Sequence, residues 1–247
     1  MDARTTSSAD DMIVSGPLAV TPERDWFDPA HWLARGLARP AGAGRGGAWF
    51  VDTPLGPCVL RHYRRGGLMR HLSTDRYVWT GAAATRSFRE LRLLERLVAG
   101  GLPAPVPVAA RYRRQGFRYR ADILLRRLDG ATTLAAQVLA PDVDAELAAK
   151  VGTMVARFHA AGICHADLNA HNILVGMDGA TWLIDFDRGC ERQPKERWRR
   201  ANLHRLRRSL AKIGADRSVP EFEQRWWRAL LDAYDRAYTG FGAEMRT

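Results

Sequence analysis

Apolar and polar positions alternate over residues 48–63, where "AWFVDT" and "CVLRHY" flank a Pro/Gly turn, and this pattern predicts a β-hairpin. The rhythm then changes. Over residues 84–99, "ATRSFRELRLLERLVA", Phe88, Leu91, Leu94, Leu97 and Val98 recur at helical spacing with arginines opposite, and Gly100 and Gly101 close an expected amphipathic helix. Prolines in "LPAPVPVAA" forbid its continuation, and "ARYRRQ" and "FRYRADILLRRL" predict a second strand pair. Residues 142–162 return to helical spacing, with Leu147, Val151, Met154, Val155 and Phe158 on the expected buried side and Gly162 at the end. Two short strands, "ILVG" and "TWLIDF", flank "MDGA" as a further hairpin. Beyond them helices are expected over 197–213 and from Pro220 to about Tyr238.

A strand-rich half followed by a helix-rich half predicts an α+β chain of two lobes joined near residues 128–130. Residues 1–20 lack periodicity and are rich in Ser, Thr and Asp, so they are expected to form a flexible leader. The first lobe should then span 21–128, with an antiparallel sheet and one helix, and the mainly helical second lobe 129–247.

Composition narrows the setting. No run of eighteen apolar residues occurs, and the polar, acidic start "MDARTTSSADD" is unlike a signal peptide, so neither a membrane span nor export is expected. Cys58, Cys164 and Cys190 lack metal-ligand spacing and fit a reducing compartment. A net charge of +11 calls for an acidic partner: nucleic acid, a phosphorylated small molecule or an anionic membrane face. The positive charge is nearly all arginine, because the only lysines are Lys150, Lys195 and Lys212.

Residues 165–189, "HADLNAHNILVGMDGATWLIDFDRG", concentrate the polar groups that could do chemistry. Phosphoryl transfer needs a carboxylate near the attacking hydroxyl and oxygen ligands for Mg²⁺. Asp167 lies five residues before Asn172 in a loop after a helix, and Asp185 closes the strand "TWLIDF". Asp167 suits a base, while Asn172 and Asp185 offer hard oxygen donors to Mg²⁺. Taken singly, each piece is equally compatible with a polar turn between buried strands.

At these residues the chain resembles the protein-kinase-like superfamily. His165-x-Asp167-Leu168-x-x-x-Asn172 is similar to its catalytic loop, and Asp185-Phe186-Asp187 to its metal-binding Asp-Phe-Gly segment. The resemblance implies a bilobal kinase fold with ATP and Mg²⁺ as cofactors, and a nucleotide clamp upstream. Gly42-x-Gly44-x-x-Gly47 precedes a strand and could cover the phosphates, with Gly44 and Gly47 as candidate contacts, although such a run is also common in linkers. Arg61 occupies the place where such kinases carry a strand lysine, and Glu90 of the next helix is its expected partner. Asn169 stands where protein kinases usually have a lysine, and the space after Gly189 is too short for a long activation segment. A peptide acceptor is therefore not expected.

The strings "LRHYRRGGLMRHLSTDRYVW", "TRSFRELRLL", "GLPAPVPVAARYRR" and "HADLNAHNILV" together resemble the bacterial lipopolysaccharide kinases that act on 3-deoxy-D-manno-octulosonic acid (Kdo), relatives of the core heptose kinases. This resemblance implies transfer of the ATP γ-phosphate to the Kdo 4-hydroxyl of a lipid A precursor at the cytoplasmic face of the inner membrane. Arg64 and Arg65, in a dense basic loop, are then candidate contacts for the acceptor's anions, and an anionic membrane surface is an expected partner. Trp198, Leu203, Leu206, Leu210 and Ile213, with Trp226 and Trp227, could meet that surface or form the second lobe's core. Rival readings are a heptose or aminoglycoside kinase and a basic pseudokinase that only binds. No nucleic-acid-binding motif is present, so nucleic acid is not an expected partner.

Overall fold

The computed structural model describes residues 8–42, 47–64, 75–140 and 143–244. The chain forms two compact units, one comprising the residues up to 96 together with 105–127, the other 97–104 and 128–247.

The first unit contains β1 (Ser8–Val14), a 3₁₀ turn (Arg24–Phe27), α1 (Pro29–Leu33), β2 (Ala38–Pro40), β3 (Ala48–Thr53), β4 (Gly56–His62), β5 (Tyr77–Val78), α2 (Arg86–Ala99), β6 (Pro107–Gln115) and β7 (Arg118–Arg126). The strands build one antiparallel sheet in the order β1-β6-β7-β4-β3-β2, with β5 also paired to β7. Side chains alternate between its faces. Cys58 and Leu60 of β4 join Trp26, Phe27, Trp32, Val51 and Leu124 in one buried cluster. The other face receives α2, where Phe88 meets Tyr112 edge-on at 5.2 Å and Ser87 Oγ donates to the Arg111 carbonyl at 3.0 Å.

Residues 8–14 correct the expectation of a leader over 1–20. They form edge strand β1, in register with β6 from Ser8–Gln115 to Val14–Ala109. Asp10 locks this pairing by accepting from Arg111 Nε at 2.7 Å. A lone edge strand has no hydrophobic rhythm of its own because its stability comes from the backbone of a strand about a hundred residues away.

The second unit contains β8 (Thr132–Thr133), α3 (Leu134–Val138), α4 (Ala145–Ala160), β9 (Ile163–Cys164), β10 (Ile173–Val175), β11 (Thr181–Leu183), β12 (Cys190–Glu191), α5 (Glu196–Lys212), α6 (Ala215–Ser218), a π-helical turn (Phe222–Trp227) and α7 (Arg228–Glu244). Asp144 caps α4 by accepting from the Leu147 amide at 2.9 Å, and the expected hairpin is β10–β11. Residues 97–104, expected in the first lobe, belong here: Pro103 accepts from the Leu183 amide, and Gly101 from Arg157. The single helix expected from Pro220 instead begins with the π turn and continues as α7.

α4 and α7 lie so close that a Cβ on Gly152 would fall 2.1 Å from the Leu230 carbonyl oxygen. Leu203, Leu206, Leu210, Trp226 and Trp227 are buried within this unit, so the apolar stripe of the C-terminal helices is core. None of the described helices is long and apolar enough to cross a membrane.

Candidate active site

In the first unit, Arg61 on β4 is ion-paired with Glu90 on α2, as the sequence suggested. Glu90 is buried and also accepts from Tyr63 Oη at 2.5 Å, while the Arg61 guanidinium lies over the Tyr63 ring, 4.9 Å from its centroid. Arg61 and Tyr63 share one side of β4 by alternation, which turns both toward α2. A planar guanidinium carries its donors in a rigid fork, the geometry that suits recognition of carboxylate and phosphate.

The glycine run and the basic loop are placed less simply. Gly44 and Arg65 lie outside the described residues. Gly47 pairs with His62 at the mouth of the β3–β4 hairpin, where the His62 amide donates to its carbonyl at 2.7 Å and a Cβ would meet the His62 oxygen at 2.8 Å. Close backbone approach thus requires a glycine there independently of any ligand. Arg64 lines a cavity of about 190 Å³ together with Gly47, Trp49, Leu60, His62 and Asp122. This cavity opens on the sheet face opposite the Arg61–Glu90 pair, since Leu60 and His62 alternate with Arg61 along β4.

In the second unit, Gly162, at φ +73°, ends α4 and turns the chain into β9, after which the loop begins at His165. His165 is buried, its Nε2 sits 2.9 Å from the Ile184 carbonyl, and its ring meets Phe186 edge-on at 4.9 Å. A carbonyl only accepts, so Nε2 carries the proton. Burial pushes the imidazole pKa down from its ordinary value, so the ring is neutral and serves as a brace between loop and strand.

The loop folds on itself through its asparagines. The Asp167 carbonyl accepts from Asn169 Nδ2 at 3.0 Å and from Asn172 Nδ2 at 2.9 Å. Asn169 Oδ1 in turn accepts from the His171 and Asn172 amides at 2.8 and 3.1 Å. The Asp167 carboxylate stands exposed above this scaffold, with Arg205 Nη1 of α5 at 3.4 Å. Ile184 donates its amide to the Asn172 carbonyl at 2.9 Å, which brings Asp185 beside Asn172. Asp185 has φ +65°, a left-handed conformation that costs a non-glycine residue about 1–3 kcal/mol and is typical of functional positions. Phe186 is buried between His165 and Phe158, so it anchors the segment between its two flanking carboxylates.

The donor set fits a hard divalent cation. Asn172 must present its amide nitrogen to the Asp167 carbonyl, which leaves Oδ1 as the atom a metal would take, and Asp185 follows the residue that is backbone-bonded to Asn172. No group of three or more His, Cys, Asp or Glu side chains forms a cage among the described residues. One amide and one carboxylate oxygen suit an ion such as Mg²⁺, which retains waters and binds substrate phosphates.

Sequence reasoning missed Tyr63, Arg205 and Ser209. Tyr63 could have been found as the residue two beyond Arg61 on the same strand face. Arg205 and Ser209 carry no sequence signal, because they reach the loop from a helix crowded with arginines.

An antiparallel sheet with a buried Arg–Glu pair to its helix, joined to a helical unit bearing the Asp167, Asn172 and Asp185 loop, defines a protein-kinase-like phosphotransferase. Residues 30–234 match the Lipopolysaccharide kinase (Kdo/WaaP) family. The chain belongs to this family and is accordingly an ATP-dependent phosphotransferase with an alcohol group as acceptor. It is 51% identical over 217 residues to the 3-deoxy-D-manno-octulosonic acid kinase of Stenotrophomonas maltophilia (strain R551-3), covering 87% of this chain and 86% of that protein. Identity is 50% over 215 residues to the protein of that name from Xanthomonas axonopodis pv. citri, and 49% over 213 residues to that from Xylella fastidiosa, each match covering 86% of this chain and 84% of the relative.

Proposed function

We propose that the chain transfers the γ-phosphate of ATP to the 4-hydroxyl of the Kdo sugar on a lipid A precursor. The observation that carries this reading is the set of relatives of that name, each covering more than four fifths of the chain, joined to an intact loop of Asp167, Asn172 and Asp185. The acceptor oxygen attacks the γ-phosphorus, the bond to the β-phosphate bridging oxygen breaks, ADP leaves, and the hydroxyl proton passes to Asp167. Arg61, held by Glu90, meets the ATP phosphates. Asn172 Oδ1 and Asp185 would hold Mg²⁺, which neutralises charge on the phosphoryl oxygens. Gly44 and Gly47, by their place in the sequence before β3, would meet the nucleotide's phosphates.

Arg64 and Arg65 offer guanidinium groups to the acceptor's carboxylate and phosphates, a role supported by their charge. The enzyme attaches peripherally to the cytoplasmic face of the inner membrane. Its net charge of +11 and the exposed Arg197, Arg200 and Arg208 of α5 support attraction to anionic lipid.

Purified protein with γ-labelled ATP, Mg²⁺ and a Kdo–lipid A precursor tests the proposal, with heptose-bearing and aminoglycoside acceptors alongside. Label on the Kdo lipid that disappears in Asp167→Ala is expected, and Arg64→Ala should raise the KM for the lipid and leave that for ATP alone. Label on another acceptor alone would replace the substrate reading, and ATP binding with no transfer to any acceptor would establish a pseudokinase.

A further inference from the structure

Between Asp167 and Asn172 the loop contains no lysine or arginine, and Asn169 is bound to the loop's own backbone. Its amide nitrogen and oxygen both bind backbone groups there, and it brings no charge to a phosphoryl group. The cation at Asp167 comes from elsewhere in the chain: Arg205 Nη1 stands 3.4 Å from Asp167 Oδ1, the ion pair this carboxylate makes among the described residues.

α5 presents Arg205 from a fixed position. One turn further along the same face, Ser209 Oγ accepts from the Ala170 amide of the loop at 3.1 Å. One turn earlier, buried Asn202 Oδ1 lies 3.4 Å from His159 Nε2 of α4. Leu206 and Leu210, fully buried, seat the helix beneath this face. The helix is thus held on both sides of Arg205, to the catalytic loop through Ser209 and to α4 through Asn202. The pair itself is partly exposed, 47% for Arg205 and 61% for Asp167, and an exposed pair contributes little to stability. Folding does not explain a guanidinium held at this point.

We infer that Arg205 is a positioning residue for phosphoryl transfer: from α5 it orients the Asp167 carboxylate and supplies, at the catalytic loop, the positive charge that the loop's own sequence lacks. The inference rests on Asp167 being the proton acceptor proposed above. It predicts an effect on the chemical step and little on nucleotide binding, because Arg205 acts through Asp167.

The test is ATP turnover by the full chain, read as ADP release with and without the Kdo–lipid acceptor, so that a wrong sugar leaves the readout intact. Arg205→Met is expected to lower kcat by about tenfold to a hundredfold while the KM for ATP stays within about twofold. Arg205→Lys, which keeps the cation, should recover most of kcat, and Arg228→Met, which removes an exposed arginine of α7, should turn over as the wild type does. In a double-mutant cycle, adding Arg205→Met to Asp167→Asn should cost little further. Wild-type kcat in Arg205→Met, additive losses in the cycle, or a deficit that lysine leaves unrepaired would each overturn the inference. Wild-type ADP release that never transfers label to the Kdo lipid would sink the acceptor assignment alone, and a wild type that turns over no ATP would overturn both.

Discussion

Glu90 on α2 holds Arg61 on β4 while its Oε2 accepts a hydrogen bond from Tyr63 Oη at 2.5 Å, and no part of the Glu90 side chain reaches solvent. One carboxylate therefore fixes two neighbours on a strand and ties that strand to the helix. A buried carboxylate tolerates this position only while its cation remains.

Removing that cation should be costly. Arg61→Met leaves the buried Glu90 charge without its arginine, with an expected loss of about 3–5 kcal/mol. Arg61→Lys retains charge but not the planar fork, and should melt much closer to the wild type. Thermal denaturation of the two variants side by side checks the order; equal melting temperatures would show that the pair contributes no stability.

The α4–α7 contact makes Gly152→Ala a severe substitution for one methyl group. Its Cβ would lie 2.1 Å from the Leu230 carbonyl oxygen, and backbone cannot yield as a flexible side chain does. The helices must separate, at an expected cost of about 1–3 kcal/mol or more, although alanine is the better helix former. Urea unfolding measures it, and a variant as stable as the wild type would mean that the helices pack less closely than this.

His159 and His165 predict acid sensitivity. Burial lowers the His159 pKa from 6.5 to about 3 and lowers that of His165 as well. Asn202 Oδ1 accepts from His159 Nε2, so in the neutral ring Nδ1 accepts from Tyr234 Oη, which itself accepts from Arg199. As pH falls below 6.5 the unfolded chain takes up protons that the native rings refuse, so stability declines toward the folded pKa values and is unaffected by these groups above 6.5. His159 contributes a slope of about 1.4 kcal/mol per pH unit in that window, and His165 acts in the same direction. Unfolding free energies measured between pH 6 and 4 should lose about one proton of slope in His159→Gln; an unchanged slope would show that His159 is protonated in the native state.

Deleting residues 1–14 removes β1 and bares the edge of β6. An uncovered edge strand invites pairing between chains, so lower solubility and a lower melting temperature are expected than the polar composition of the segment suggests. Asp10→Ala, which removes the partner of Arg111, should show a smaller effect of the same sign. Light scattering and thermal melts of the two variants check this.

Much of the architecture follows from local rules that a sequence displays. The helical spacing from Phe88 to Leu97 puts one apolar face on α2, the β3–β4 and β10–β11 hairpins announce themselves by turn residues, and Asp144 stands at the start of α4 as an N-cap. The grouping of the loop's polar residues was legible for the same reason: Asp167, Asn172 and Asp185 sit within nineteen residues, on a short loop followed by a hairpin. Arg61 and Glu90 were legible as a pair because one strand and one helix, each with a clear period, carry them.

What tertiary structure alone decided depends on partners distant in sequence. β1 exists because β6 offers an edge, and residues 97–104 side with the second unit because Pro103 meets Leu183 and Gly101 meets Arg157. Trp226 and Trp227 became core where their composition suited a membrane equally well, since a periodic apolar stripe specifies burial and not the surface that covers it. Arg64 came to line a cavity with Leu60 and His62, and Arg205 reached Asp167 by the seating of α5. A sequence states which groups are charged and which are apolar. Packing selects which of many arginines stands within reach of a given carboxylate.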